Sequence, residues 1–235
     1  MPTIYEILSK SSTIQCTSQA QKVEYTVAME LQSQLHGAAD IGHSTSLDAP
    51  KGSVRIAVVP EKSKWKSIHP SLDGSKDWML ARVRDGQGIE LLASRPHLLY
   101  MLFCHVVEDW KALDIREFAN GKIAYPAFPN LRPVYDLFLT QHARTVRAFD
   151  RSRYFKELAR LGFSHAEVNG LAFPVPFEQG PKGELLHRFY TYCPALDQFV
   201  SSKLTKGYYD EDYLQANLNY LKTNAEEAER YGLTP

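Results

Sequence analysis

The chain has 235 residues, 44% of them apolar, and its 27 Lys and Arg residues are balanced by 27 Asp and Glu residues. This length suffices for one large domain or two small ones. A formal charge of zero argues against a general nucleic-acid-binding protein, which needs a basic excess to contact phosphates, and no run of 18 apolar residues predicts a membrane span.

The first predicted elements are a short strand and an amphipathic helix. Residues 12–18 (STIQCTS) have the composition of a strand. A helix follows, because apolar residues recur four positions apart before Gly37: Val23, Val27, Leu31 and Leu35. Residues 38–52 are rich in Gly, Ser, Asp and Ala and are predicted to form a loop.

Three more strands and a second helix are predicted next. Residues 53–61 (SVRIAVVPE) indicate a strand. Residues 77–94 alternate on both sides of DGQG, which predicts a hairpin because glycine tolerates the positive φ of tight turns. Ser94 as a cap and Pro96 in the first turn predict a helix over residues 95–110.

These elements predict an α/β fold in which residues 12–112 form an N-terminal β-α-β-β-β-α sandwich domain, with the helices on one face of the sheet. Residues 113–132 contain Asn120-Gly121 and prolines and are predicted to be a linker.

Residues 133–235 follow a different order of predicted elements. Strand-like segments (VYDLFLTQHA and HAEVNG) alternate with a helix that Asp150 caps and a long helix over residues 210–231, and LTP resembles the start of another strand. This alternation is typical of a β/α barrel or of a doubly wound sheet, and a barrel needs eight units to close. We therefore expect the first units of an incomplete (β/α)8 barrel, in a chain that is truncated or that relies on another element to cover its sheet.

Glu167 and Asn169 end the second barrel-like strand. They are two residues apart and therefore point to the same face, and the carboxyl ends of barrel strands form the active-site face. They are candidates for hydrogen bonds to sugar hydroxyls. Alternatively, Glu167 pairs with a neighbouring arginine and Asn169 caps the turn before Gly170.

Further candidates follow the first barrel-like strand and occupy a long loop. His142 and Arg144 follow the strand, and arginine suits a carboxylate or a hydroxyl, although an ion pair with an acidic neighbour is an equal alternative. The loop over residues 171–209 carries Tyr190 and Tyr192, which are candidates for stacking on sugar rings. The loop could equally be a hydrophobic cover.

The chain lacks the common cofactor and nucleophile motifs: it has no P-loop, G-x-G-x-x-G, G-x-S-x-G or H-E-x-x-H sequence. Its three cysteines, Cys16, Cys104 and Cys193, are far apart and are predicted to be free thiols. We expect neither a metal nor a cofactor. The opening residues, MPTIYEILSKSS, do not predict a signal peptide.

The stretch WMLARVRDGQGIELLASRPHLLYMLFCHVVEDW resembles the small α/β domain that precedes the catalytic barrel in α-glucuronidases and bacterial β-hexosaminidases. The matching register is Ile89, Leu91, Ala93, Pro96, Leu99 and Tyr100. Residues 133–235 resemble the opening of the barrel in the same enzymes, and RYGLTP is similar to the α-glucuronidase lead into strand three.

The resemblance implies the N-terminal part of a glycoside hydrolase that acts on glycans containing uronic acid or amino sugars. The catalytic carboxylates of these enzymes lie on later barrel strands, so no catalytic residue is carried over, and the chain alone is expected to be inactive. Arg144 matches a first-strand arginine that touches substrate in the hexosaminidase group. The alternative is a non-catalytic carbohydrate-binding or interaction module.

Overall fold

The computed structural model describes residues 3–35, 39–84, 88–109, 113–133, 150–166, 168, 203 and 211–235. The fold is α/β, as the sequence predicts, with one six-stranded sheet in the order β2-β1-β3-β5-β4-β6. The strands are β1 (Thr13–Thr17), β2 (Asp40–Ser44), β3 (Ser53–Val58), β4 (Met79–Arg84), β5 (Gly88–Ala93) and β6 (Lys122–Ala124). The helices are α1 (Ile4–Leu8), α2 (Lys22–Gln34), α3 (Lys62–Ile68), α4 (Pro96–Asp109), α5 (Arg151–Arg160) and α6 (Glu211–Arg230).

The sheet is mixed. Strands β2, β1, β3 and β5 run parallel, whereas β4 is antiparallel to both β5 and β6. The predicted hairpin is the β4–β5 pair, in which Met79 lies opposite Ala93 and Arg84 opposite Gly88. The carboxyl ends of the four parallel strands therefore lie at the same end of the sheet.

Strand alternation divides the buried residues between two cores. On one face Val54, Ile56 and Leu91 pack in the core that contains α2 and α4. On the other face Ala57, Leu80 and Leu92 pack with Trp65 of α3. A strand places successive side chains on opposite faces, so both sides of the central strands are covered.

Four elements differ from the sequence prediction. Helix α1 lies before residue 12, where the predicted domain begins, and was not predicted. Residues 38–52, expected to be a loop, contain β2, and the expected linker at 113–132 contains β6, which pairs with β4. Helix α3 was not predicted, and it lies on the face opposite α2 and α4, so the expectation of helices on one face is wrong for α3. Strands β2 and β6 were missed because they are short, partly exposed edge strands without a clear alternation of apolar residues.

A row of polar side chains crosses the sheet on the α3 face. Arg55 lies opposite Glu90, and Glu90 lies opposite Arg82 on the next strand. The fully buried Glu90 carboxylate accepts hydrogen bonds from Arg82 Nε at 2.8 Å, from Arg84 Nε at 2.9 Å and from the Ala49 backbone at 3.1 Å. This row ties the loop after β2 to the centre of the sheet.

We call residues 3–130 the first region and the described residues from 131 onward the second region. Helix α5 of the second region packs against α4 of the first, and α6 packs against α2. Asp150 caps α5, as predicted, by accepting from the Arg153 backbone at 3.0 Å. The α5 residues Phe155 and Ala159 are fully buried in the same core as α2 and α4. No helix in the described part of the chain is long and apolar enough to cross a membrane.

Candidate functional site

The second region brings three chain segments side by side. Ser164 donates its backbone N–H to the Leu131 carbonyl at 3.0 Å, and Leu131 donates its own to Ser164 Oγ at 2.9 Å. On the other side, Ala166 and Ser164 exchange backbone hydrogen bonds of 2.9 Å with Thr234, and His165 and Thr234 form a parallel bridge. We call residues 131–133, 164–166 and 233–235 the parallel segments, after the parallel bridge between the second and the third of them.

The inner and outer sides of the parallel segments differ in burial. Ala166, Val168 and Leu233 are buried in the core that contains α5 and α6. His165 is only partly buried, and Thr234 is exposed. The helices therefore cover one side, and the side that carries His165 and Thr234 is open to solvent among the described residues.

A buried amide joins the second strand-like segment to α6. Asn224 of α6 is fully buried, and its Nδ2 donates to the Val168 carbonyl at 2.8 Å. An unpaired polar group in the core is costly, and the Asn224 Oδ1 atom has no partner among the described residues, so Nδ2 makes the one bond that anchors this side chain. This bond positions the chain at Val168, between the two candidates Glu167 and Asn169 in sequence.

A shallow cavity of about 290 Å³ lies over the open side. It is lined by Arg132, Pro133, His165, Ala166, Val168, Thr234 and Pro235. The pKa of His165 is lowered by its partial burial and by the positive charge of Arg132. His165 Nδ1 lies 2.8 Å from Ser164 Oγ, so the hydroxyl constrains the ring.

All six predicted site residues lie outside the part of the chain that the structure describes: His142, Arg144, Glu167, Asn169, Tyr190 and Tyr192. Their roles stay predictions. No motif or spacing predicted a role for His165, Arg132 or Thr234. His165 could have been found from the strand period, because it stands two residues before Glu167 and so shares its predicted face.

The remaining titratable groups show no activated nucleophile among the described residues. Burial raises the pKa of both the Cys16 and the Cys104 thiols to about 12, so they behave as inert core residues. Both are free, as predicted, and Cys193 lies outside the described residues. No group of three or more His, Cys, Asp or Glu residues suited to a metal occurs in the part of the chain that the structure describes.

The chain matches no model of a known protein family and no curated protein. Among solved structures, it is similar to a GH138 enzyme targeting pectin rhamnogalacturonan II. The identity is 9%, the TM-score is 0.50, and the match covers 94% of this chain. It is also similar to CpGH84D, with 11% identity, a TM-score of 0.39 and 94% of this chain covered.

The first of these likenesses assigns a glycoside hydrolase-like α/β fold to the chain. The chain spans 24% of the length of the GH138 structure and 40% of the length of CpGH84D. At such low sequence identity the comparison describes the fold only, and the chemistry must be inferred from the residues.

Proposed function

We propose that the chain is the N-terminal part of a glycoside hydrolase that acts on complex glycans containing uronic acid or amino sugars. In this proposal the predicted domain at 12–112, whose sheet also includes β6 from the segment at 113–132, precedes the first units of a (β/α)8 barrel at 133–235. The catalytic carboxylates lie beyond residue 235. The α-glucuronidases and bacterial β-hexosaminidases are the enzymes whose sequences suggest this arrangement.

The observation that carries the proposal is the order of the parallel segments. Segments before α5, between α5 and α6, and after α6 lie side by side, and the two described helices pack on one side only. In a β/α barrel each strand is followed by a helix on the outside, and the inner side faces the barrel. The side that carries His165 and Thr234 corresponds to the barrel interior in this proposal.

The candidates Arg144, Glu167 and Asn169 then bind and orient a sugar at the carboxyl ends of the first two strands. His142 contributes a further polar group, and Tyr190 and Tyr192 stack on the apolar face of a sugar ring. Glycosidases need two carboxylates that flank the scissile bond, and the proposal assigns neither role to Glu167. Glu167 is a binding residue in this scheme.

The test uses the complete product of the gene and the variant Glu167→Gln. Loss of one hydrogen bond to a sugar costs about 1 to 3 kcal/mol, so we expect kcat/KM to fall about 5- to 150-fold. Glu157→Gln is the matched control, because Glu157 lies on α5, where it pairs with Arg160 at 2.7 Å at the surface. The control should retain activity.

Two outcomes contradict the role of Glu167. A loss approaching a million-fold with unchanged substrate binding means that Glu167 is catalytic, and unchanged kinetics mean that it is structural. The gene sequence beyond the codon for Pro235 tests the wider proposal. It should encode six more β/α units with paired Asp or Glu residues at strand ends, and a stop codon there favours the non-catalytic carbohydrate-binding module.

A further inference from the structure

The first region has a cavity of its own, far in sequence from the parallel segments. It has a volume of about 370 Å³ and lies at the carboxyl ends of β1, β2 and β3. We call it the strand-end cavity. Its lining includes Thr17, Ser44 and Val58, the last residues of these three strands. The volume falls in the range of about 300 to 1,000 Å³ that is usual for small-molecule sites.

The strand-end cavity occupies a topological switch point of the sheet. Strand β1 leads into α2, which packs in the core on one face, whereas β3 leads toward α3, which packs in the core on the other face. Because β1 and β3 are parallel neighbours, their connections diverge and leave a crevice between them. Ligands of open α/β sheets bind in crevices of this kind.

The carboxylate at the base of the cavity is held rigidly. Glu24 is 1% exposed, and it accepts from the Thr17 backbone at 2.9 Å, from Thr17 Oγ1 at 2.9 Å and from the Val58 backbone at 3.2 Å. These bonds join α2 to the ends of both β1 and β3. The walls of the crevice are therefore fixed before any ligand arrives.

The cation at the base is equally fixed. The buried Arg55 donates from its terminal nitrogens to the carbonyls of Cys16 and Ser44, which belong to β1 and β2. Its charge offsets that of Glu24, and at the rim Lys64 pairs with Glu61 at 3.6 Å. The charged groups of the lining thus balance, which favours an uncharged ligand over an anion or a cation.

Most of the other polar residues of the lining are neutral and make no internal side-chain hydrogen bond; the exception is Ser44, whose Oγ accepts from the Ser46 backbone at 3.1 Å. The side chains of Ser18, Gln19, Gln21 and Thr45 line the cavity and make no hydrogen bond to any described residue. Hydroxyl and amide groups both donate and accept, as sugar hydroxyls do. Leu47 and Val59 add apolar surface between them.

We propose that the strand-end cavity binds an uncharged polyhydroxylated ligand, one ring of a neutral saccharide, at a site separate from the barrel-like segments. The geometry that supports it is the switch-point crevice with a charge-balanced base and a lining of neutral donors and acceptors. The proposal does not rest on the proposed hydrolase activity, because every residue involved belongs to the first region. It would place a second carbohydrate contact on the same chain.

The test is a titration of the 235-residue chain, followed by amide chemical shifts, with rhamnose, galactose and glucose as probes and inorganic phosphate as the anionic comparison. We expect saturable binding of at least one sugar with a Kd on the order of 1 mM, and shifts confined to the β1–α2 turn and the loop after β2. Gln21→Ala and Thr45→Trp should each weaken binding at least about tenfold, since the first removes an amide and the second fills the cavity.

The control is Lys51→Ala, an exposed position in the loop between β2 and β3 and outside the cavity lining, and it should leave the affinity unchanged. Glu167→Gln should also leave it unchanged, which separates this site from the proposed substrate site. Absence of saturable binding for all three sugars overturns the proposal. Tighter binding of phosphate, or equal affinity in the Thr45→Trp variant, overturns it as well.

Discussion

The two regions of the molecule are held together in different ways. The first has a sheet whose six strands pair in continuous registers, with cores on both faces. In the described part of the second, the parallel segments are joined by one isolated bridge and a few hydrogen bonds. Its buried residues Phe155, Tyr231 and Leu233 belong to the core of the first region. The described part of the second region is therefore stabilised mainly by packing on the first.

The largest loss of stability is expected from a change in the interior of the sheet. Glu90→Gln leaves Arg82 buried without its counter-charge, because the Glu90 carboxylate is fully buried between Arg82 and Arg84. Breaking a buried pair from one side costs about 3 to 5 kcal/mol. We expect urea unfolding to show a loss of this size.

The control for Glu90 is Glu117→Gln, which removes an exposed partner 3.6 Å from Lys122. Exposed pairs contribute about 0 to 1 kcal/mol, so this variant should unfold almost as the parent does. Equal stability of the two variants would mean that the buried row does not stabilise the sheet.

The second prediction concerns the joint between the regions. Gly232 has a φ of +79°, and a Cβ there would lie 2.5 Å from the Pro96 carbonyl carbon at the start of α4. Gly232→Ala combines a left-handed backbone cost of about 1 to 2 kcal/mol with overpacking of about 1 to 3 kcal/mol. Hydrogen exchange should increase most in α6 and at residues 233 and 234, because the close contact of Gly232 with Pro96 holds them against α4.

Gly52→Ala is the matched control for Gly232. Gly52 has a φ of +72°, but a Cβ there meets nothing within 4 Å. It should cost only the backbone contribution, about 1 to 2 kcal/mol. A similar loss in both variants would contradict the close approach of the two regions at Pro96.

The third prediction concerns pH. Burial lowers the pKa of His97 on α4 to about 4, despite the nearby Asp77, and His165 and Arg95 lower it further. The unfolded chain binds this proton near pH 6.5, so the folded state loses stability as the pH falls from about 6.5 to 4. The contribution reaches about 3 kcal/mol at pH 4.

His97→Gln should flatten this part of the stability profile, measured by urea unfolding at about pH 7, 5.5 and 4. His105→Gln, on the exposed side of the same helix, should keep the slope of the parent. If the His97 variant loses as much stability on acidification as the parent does, other groups are responsible.

The fourth prediction concerns the polar bridge between the regions. Glu30 of α2 accepts from Tyr100 Oη at 3.0 Å and from Lys156 Nζ of α5 at 2.9 Å. Glu30→Gln weakens both bonds at a partly exposed position, and we expect a loss of about 1 to 2 kcal/mol in the free energy of unfolding. Hydrogen exchange should increase more in α5 than in β3. An equal increase in both elements would contradict a local role of Glu30.

The same contrast explains which parts of the fold could be predicted. The β4–β5 hairpin and the helices α2 and α4 have strong local signals: alternation around glycines and apolar residues at helical spacing. Strands β2 and β6 carry little pattern because edge strands form mainly through backbone pairing with a neighbour. Helix α3 buries only Trp65 and Ile68, so its sequence gives a weak signal.

The site was less predictable than the fold. The strand-end cavity is formed by residues from β1, β2 and β3, which come together only when the strands lie in the order β2-β1-β3. No local sequence motif predicts that order. The alternation of side chains along a strand, which placed Glu167 on the predicted active-site face, places His165 on the same face. The six predicted binding residues remain sequence-based proposals.

The most direct test of the central claim is a hydrolysis assay on the complete product of the gene. We predict release of reducing sugar from glycans that contain uronic acid or amino sugars, together with no release by the 235-residue chain alone. Glycan binding without hydrolysis by the complete product, or hydrolysis by the shorter chain on its own, would contradict the claim that this chain is the N-terminal part of a glycoside hydrolase.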